Sequence, residues 1–147
     1  MRRAESRTPG SDRSSAWLLP PVLERLRGGQ GEFVAELRPA VALFLRFRGI
    51  DYDHDPDAGA KFDTFIQRVQ QILAPYEGHI IHITMGDKGS YISIILGAPT
   101  AHEDDATRAA FAALKLVQIP QTLDYIQDVQ IGISQGRMLT GSYGGLE

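Results

Sequence analysis

The apolar positions of this chain change their spacing from segment to segment, and the changes mark out the elements. Ala40-Val-Ala-Leu-Phe-Leu-Arg-Phe47 is a compact apolar run closing near Gly49, the pattern of a central strand. After the polar stretch Asp51 to Asp57, where Pro56 and Asp57 punctuate the chain, Phe62, Phe65, Ile66, Val69, Ile72, Leu73 and Tyr76 fall three and four apart. Lys61, Gln67, Arg68 and Gln71 lie between them, which predicts an amphipathic helix of about four turns ending at Pro75 and Gly78. His79 to Met85 then alternates Ile81, Ile83 and Met85 against His82 and Thr84, as in a half-buried strand. Gly86-Asp-Lys-Gly89 has the chemistry of a hairpin turn into a second strand, Ser90 to Leu96. Beyond Gly97-Ala-Pro99, Thr100 is a candidate helix cap, with Glu103, Asp104 and Asp105 at the positive end of the helix dipole. Ala106, Ala109, Ala110, Ala113, Leu114 and Val117 supply that helix with a small-residue face able to lie close on a sheet. Asp128 to Ser134 is the last expected strand, and Gly136 to Gly145 reads as a turn into an element the chain does not contain.

The order strand, helix, strand, strand, helix, strand, with a hairpin in the middle, predicts an α+β two-layer sandwich of the ferredoxin-like βαββαβ kind. Ahead of it, residues 1–15 are rich in Arg, Ser, Pro and Gly and too poor in apolar groups to offset their chain entropy, so they are expected to be disordered. Residues 16–35 form an expected entry helix and linker: Val22, Leu23 and Leu26 stand at helical spacing before Gly28-Gly29 stops them. The expected domain proper is 36–147.

A chain of 147 residues is one ordinary domain, and 43% hydrophobic with 22% charged residues is a globular balance. The net charge of −3 argues against a nucleic-acid partner, which would normally meet a basic stripe interleaved with aromatics. The absence of cysteine removes disulfides and thiolate zinc sites, and the longest apolar runs fall well short of a membrane span, so a cytoplasmic protein with no membrane insertion is expected. The aspartates at 51, 53, 55 and 57 do not make a calcium loop: Pro56 stands where the tight-turn glycine belongs and Phe62 where the closing glutamate belongs. His54, His79, His82 and His102 share no metal-ligand spacing, and neither a phosphate loop nor a nucleophile elbow is present.

Three blocks in order carry a family resemblance. Glu36-Leu-Arg-Pro-Ala-Val-Ala-Leu-Phe-Leu-Arg-Phe-Arg-Gly49 resembles the opening strand of class III adenylate/guanylate cyclase domains. Gly78 to Asp87, followed by Ile94-Ile-Leu-Gly-Ala-Pro-Thr-Ala-His-Glu-Asp-Asp-Ala-Thr-Arg-Ala109, resembles the family's Gly-Asp hairpin and the Glu-Asp-Asp-Ala helix start after it. Val129-Gln-Ile-Gly-Ile-Ser-Gln-Gly-Arg-Met-Leu-Thr-Gly141 is similar to the family's later strand. The Asp-Lys-Gly after Gly86 most resembles the second cyclase-like domain of tandem proteins of the soluble adenylyl cyclase kind. The resemblance implies an active site between paired cyclase domains that converts ATP or GTP to a cyclic nucleotide and pyrophosphate. In it, aspartates hold a pair of Mg or Mn ions that activate the hydroxyl and offset phosphate charge.

Carried over residue by residue, the family pattern makes Asp87 a vestigial metal ligand and Arg46, Phe47, Gly49, Gly86 and Asp87 the nucleotide-binding positions. Arg46 stands where the first metal-binding aspartate is expected, neither His82 nor Ile83 supplies the purine-selecting group, and the ribose and transition-state residues belong to a segment beyond Glu147. Asp87 is open to two readings, a remnant ligand or a hairpin-turn residue paired with Lys88 or Arg46. Arg46 is likewise either a phosphate fork or a salt-bridging replacement for the metal. The expected function is that of a degenerate, C-terminally truncated cyclase homology domain in cyclic-nucleotide signalling, inactive alone, with another cyclase domain as its partner in a homo- or heterodimer. Its alternatives are the active half of a heterodimeric cyclase and an interaction module that binds no nucleotide. No cofactor is expected to be needed for folding.

Overall fold

The computed structural model describes residues 36–86 and 89–140. The expected disordered tail, the entry helix and linker, Asp87 with Lys88, and the segment from Gly141 onward lie outside these residues. Within them the order is β1 (Glu36–Arg48), α1 (Ala58–Leu73), β2 (His79–Thr84), β3 (Ser90–Leu96), α2 (Asp105–Leu116) and β4 (Asp128–Thr140). The four strands form one antiparallel sheet in the order β2-β3-β1-β4, which is the ferredoxin-like topology read from the sequence. No helix among the described residues is long and apolar enough to cross a membrane.

Strand β1 is central because it can bury one face from Val41 to Phe47. Its alternate residues Val41, Leu43, Leu45 and Phe47 are buried among Phe65, Val69 and Leu73 of α1, Ile92, Ile94 and Leu96 of β3, and Ala109, Ala112 and Leu116 of α2. Each large side chain so enclosed contributes roughly 1.5–3 kcal/mol relative to exposure. The other face of the sheet carries no helix among the described residues, and Phe44 and Tyr91 stand exposed on it.

The structure corrects the expected core pattern in three places. Ile81 of β2 and Met85, one residue beyond its end, do not share the buried side with Ile83: they are 60% and 55% exposed. The ladder skips between Ile80 and His82, so Ile80 lies opposite Ile94 and Ile83 opposite Ile92, with Ile81 left over in a β-bulge. An extra residue reverses the alternation, and Ile80 joins Ile83 against the core. In α2, the buried stripe is Asp105, Ala109, Ala112, Ala113 and Leu116, whereas Phe111, Leu114 and Val117 face outward. The cause is local. Asp105, not Thr100, organises the helix start: its Oδ2 accepts the His102 N–H at 2.8 Å and packs where a Cβ on Gly97 would come within 2.9 Å. With the first turn pinned there, the helical period carries burial to Ala109, Ala112 and Leu116. Third, residues 136–140 are not a turn; they continue β4 and pair with residues 36–40 of β1.

The bulge makes a paired prediction. Ile80→Thr should lower the unfolding free energy by about 1–3 kcal/mol, whereas Ile81→Thr should change it by less than about 0.5 kcal/mol; urea denaturation of both variants reads the difference. Equal losses would mean that the strand keeps its simple alternation.

Candidate functional site

The two-residue period that buries Phe47 turns Arg46 and Arg48 to the opposite side of β1, the one the helices leave open. Arg46 lies in register with Tyr91 of β3 and Gln130 of β4, and its Nη1 donates to Gln130 Oε1 at 3.3 Å. Arg48 is held at the end of the strand by Asp128, Nη2 to Oδ2 at 3.2 Å. From the β2–β3 connection, the Gly89 N–H donates to the Gly86 carbonyl at 3.0 Å. Gly89, at φ +113°, sits so close to the Arg46 guanidinium that a Cβ would stand 3.1 Å from its Nε. Here a glycine lets the turn lie directly on the arginine.

These segments enclose an open cavity of about 420 Å³ lined by residues 46–50, Tyr52, Gly86, Gly89 and Ser90. Arg46, Phe47, Gly49 and Gly86, chosen from the sequence as nucleotide-binding positions, therefore line one cavity. Asp87, the fifth, lies outside the described residues. Sequence reasoning did not select Arg48, Ile50, Tyr52, Gly89 or Ser90. Arg48 was accessible to it, being two residues from Arg46 on the same strand, and Gly89-Ser90 leads directly into β3. Tyr52 had no signal, because only the chain path beyond Gly49 brings it to the cavity.

The floor is aromatic and rigid. Phe47 is buried with its ring centroid 4.4 Å from that of Phe65 and 6.3 Å from that of Phe62, and Tyr52 meets Phe62 edge-on at 6.4 Å. Gly49 closes this end of the sheet at φ +128°, where a Cβ would run into the Tyr125 carbonyl and lie 2.8 Å from the Gln127 nitrogen. The Gln127 N–H donates in turn to the Arg48 carbonyl at 2.9 Å.

The acidic loop after Gly49 spends its carboxylates on its own backbone and on α1. Asp51 Oδ1 accepts the N–H groups of Asp53 and His54, each at 3.1 Å, in the manner of an Asx turn. Asp55 Oδ1 accepts the Asp57 N–H at 2.9 Å while Oδ2 takes the Lys61 ammonium at 2.5 Å. That ammonium, then the Asp57 N–H, holds the Asp55 carboxyl below its usual range, and Asp55 raises Lys61 reciprocally. The Tyr125 hydroxyl donates to the Lys61 carbonyl at 2.9 Å, so loop, helix and the segment against Gly49 are joined.

No cluster of three or more His, Asp or Glu side chains able to hold a metal occurs among the described residues. The described cavity lining contains two guanidinium groups, a phenol and a hydroxyl, and no carboxylate. Among the described lining residues there is no anionic oxygen of the kind divalent cations need, and the two guanidinium groups are groups that take an anion.

No family model matches the chain. Among curated proteins it is similar to human adenylate cyclase type 10, 24% identical over 130 residues that make up 87% of this chain and 8% of that protein. Solved structures with the same architecture include the non-canonical dimeric guanylyl cyclase domain of the RhoGC fusion protein from the aquatic fungus Blastocladiella emersonii. That match has a TM-score of 0.63 at 20% identity and covers 78% of this chain and 67% of that one. The guanylate cyclase domain of RhGC from Catenaria anguillulae, solved in complex with GTP, gives 0.62 at 21% identity, covering 76% of this chain and 63% of that one. The fold is that of cyclase catalytic domains. The cyclase-type sheet thus holds the present cavity at the end of β1 and the β2–β3 connection, and the chain spans only a small part of the curated relative.

Gly49→Ala is expected to destabilise the domain by at least about 3 kcal/mol, because a positive φ and a backbone collision act together; thermal or urea unfolding measures it. Asp55→Asn tests the loop through pH. A depressed carboxyl contributes stability above its ordinary value of 3.8, lost as pH falls through the folded value. A raised lysine contributes below its ordinary value of 10.5, lost as pH rises through the folded value. The melting-temperature gap between the two proteins should be constant across neutral pH and close at both extremes. A gap independent of pH would dismiss the ion pair as its source.

Proposed function

We propose that the chain is a degenerate cyclase homology domain in cyclic-nucleotide signalling, acting as the pairing or regulatory partner of a complete cyclase domain in the cytoplasm. The observation that carries this reading is Arg46, a cation in the cavity at the position where the family resemblance calls for a metal-binding carboxylate. A fixed guanidinium repels the divalent ions that cyclase chemistry requires, yet can bind a nucleotide phosphate through its planar fork. Arg46, Phe47, Gly49 and Gly86 would then position nucleotide, with Asp87 as a vestigial ligand, in place of turning it over.

Pairing with another cyclase domain is supported by the non-canonical dimer of the Blastocladiella domain, a domain that has also been solved as a monomer. The sheet face that carries no helix among the described residues, with Phe44 53% and Tyr91 39% exposed, offers apolar area for such contact. The degenerate second domain of tandem cyclases is the version of this arrangement that the hairpin sequence resembles most.

The chain alone should form no cyclic nucleotide from ATP or GTP with Mg²⁺ or Mn²⁺, and measurable product would overturn the degenerate reading. A thermal-shift titration with either nucleotide, with and without metal, should raise the melting temperature, and Asp87→Ala and Arg46→Ala variants apportion that shift between the two residues. No shift in any protein would leave a scaffold used only for pairing. Sedimentation at tens of micromolar should show dimers, and a monomer throughout would remove self-pairing.

A further inference from the structure

A second cavity, of about 300 Å³, lies in the helical layer and shares no residue with the first. Arg68 and Ile72 of α1, Lys115 near the end of α2, and Gln118, Ile119 and Gln121 from the turn that follows line it. We propose that this groove binds a small organic anion, with a phosphoryl or carboxylate group held between Arg68 and Lys115 and an attached apolar portion resting on the half-buried Ile72, which the fully buried Ile119 backs.

The groove's donors are uncommitted. Among the described residues, the side chains of Arg68, Gln118 and Gln121 have no hydrogen-bond or ion-pair partner. Lys115 has only the face of Tyr76, its Nζ 5.2 Å from the ring centroid, a contact that steadies the ammonium without using its N–H donors. No carboxylate belongs to the described lining, although the whole chain carries a net charge of −3. With two cations and no acid in the described lining, a nearby anion is attracted to both.

The platform beneath them is fixed. Ile119 is 1% exposed, and the turn that carries the glutamines is closed by Gln118 N–H to the Lys115 carbonyl at 3.2 Å and Gln121 N–H to the Gln118 carbonyl at 3.0 Å. The carbonyl end of α2 disfavours an anion modestly, but it ends at the lysine that offsets it. Exposed cations alone would attract any anion weakly. The apolar floor beside them selects an anion with a hydrophobic part, and the volume lies at the small end of the range for small-molecule sites. This site does not depend on the reading of the sheet-end cavity.

Phenyl phosphate is the probe, titrated into the full ¹⁵N-labelled chain, with inorganic phosphate and phenol as comparators. The side-chain amide signals of Gln118 and Gln121 and the guanidinium signal of Arg68 should move and saturate in the millimolar range, with phenyl phosphate binding more tightly than either comparator. The double variant Arg68→Gln, Lys115→Gln should bind at least about tenfold more weakly. Added salt should weaken binding to the unmodified chain, a test that needs no variant to fold. Unmoved Gln118 and Gln121 signals, affinity retained in the folded double variant, or equal binding of phenol would each overturn the site.

Discussion

The pleat of β1 is the constraint on which the rest of the molecule depends. A strand with neighbours on both edges and a buried face has no freedom of register, since a slip by one residue would send Val41, Leu43, Leu45 and Phe47 into water. The same pleat fixes Arg46 and Arg48 on the opposite side at the strand's end. Gly49 then lets the chain pass beneath the Tyr125 carbonyl, so hydrophobic burial and the position of the charged groups cannot be altered independently. The cavity is a consequence of where the core strand has to stop.

Much of this was legible because β1, α1 and the β2–β3 hairpin carry strong periodic signals. Phe65, Val69 and Leu73 appear on the buried face of α1 as their spacing requires. The failures came where periodicity was ambiguous or interrupted. In α2 the sequence offers alanines around most of the circumference, so hydrophobicity could not orient the helix; a buried polar contact from Asp105 did. The bulge in β2 is invisible in composition, because Ile80, Ile81 and Ile83 are chemically alike and only the count of partners on β3 sorts them. The extension of β4 was hidden by Gly136, which the sequence presents as a breaker but which sits in the ladder opposite Ala40. At the candidate site, Arg46, Phe47, Gly49 and Gly86 were legible only through resemblance. Their meeting in one cavity depends on an antiparallel pairing that brings residue 89 onto residue 46.

The chemistry at that cavity follows from sign more than from shape. A carboxylate on β1 would attract divalent ions and let them bridge to phosphate oxygens; a guanidinium at the same place repels the ions and takes the oxygens itself. Under the proposed reading, one such exchange of sign would leave the fold untouched while changing what the cavity attracts. Fold alone does not decide between an active and an inactive domain; the charge at this position is what separates the two readings.

The exposed apolar groups extend the same logic to assembly. Beyond Val41, where β3 ends its pairing, β1 and β4 continue as a two-stranded arm whose opposed residues Leu37 and Leu139 are 50% and 72% exposed. A two-stranded ribbon gains little stability from itself, and Phe44 on the open sheet face has only Ser93 and Gly132 as cross-strand neighbours. Small neighbours leave the ring's sides uncovered, so a partner surface could remove more apolar area from water there than intramolecular packing does. The apolar area left exposed on the arm and on this face is the surface through which the proposed pairing would act.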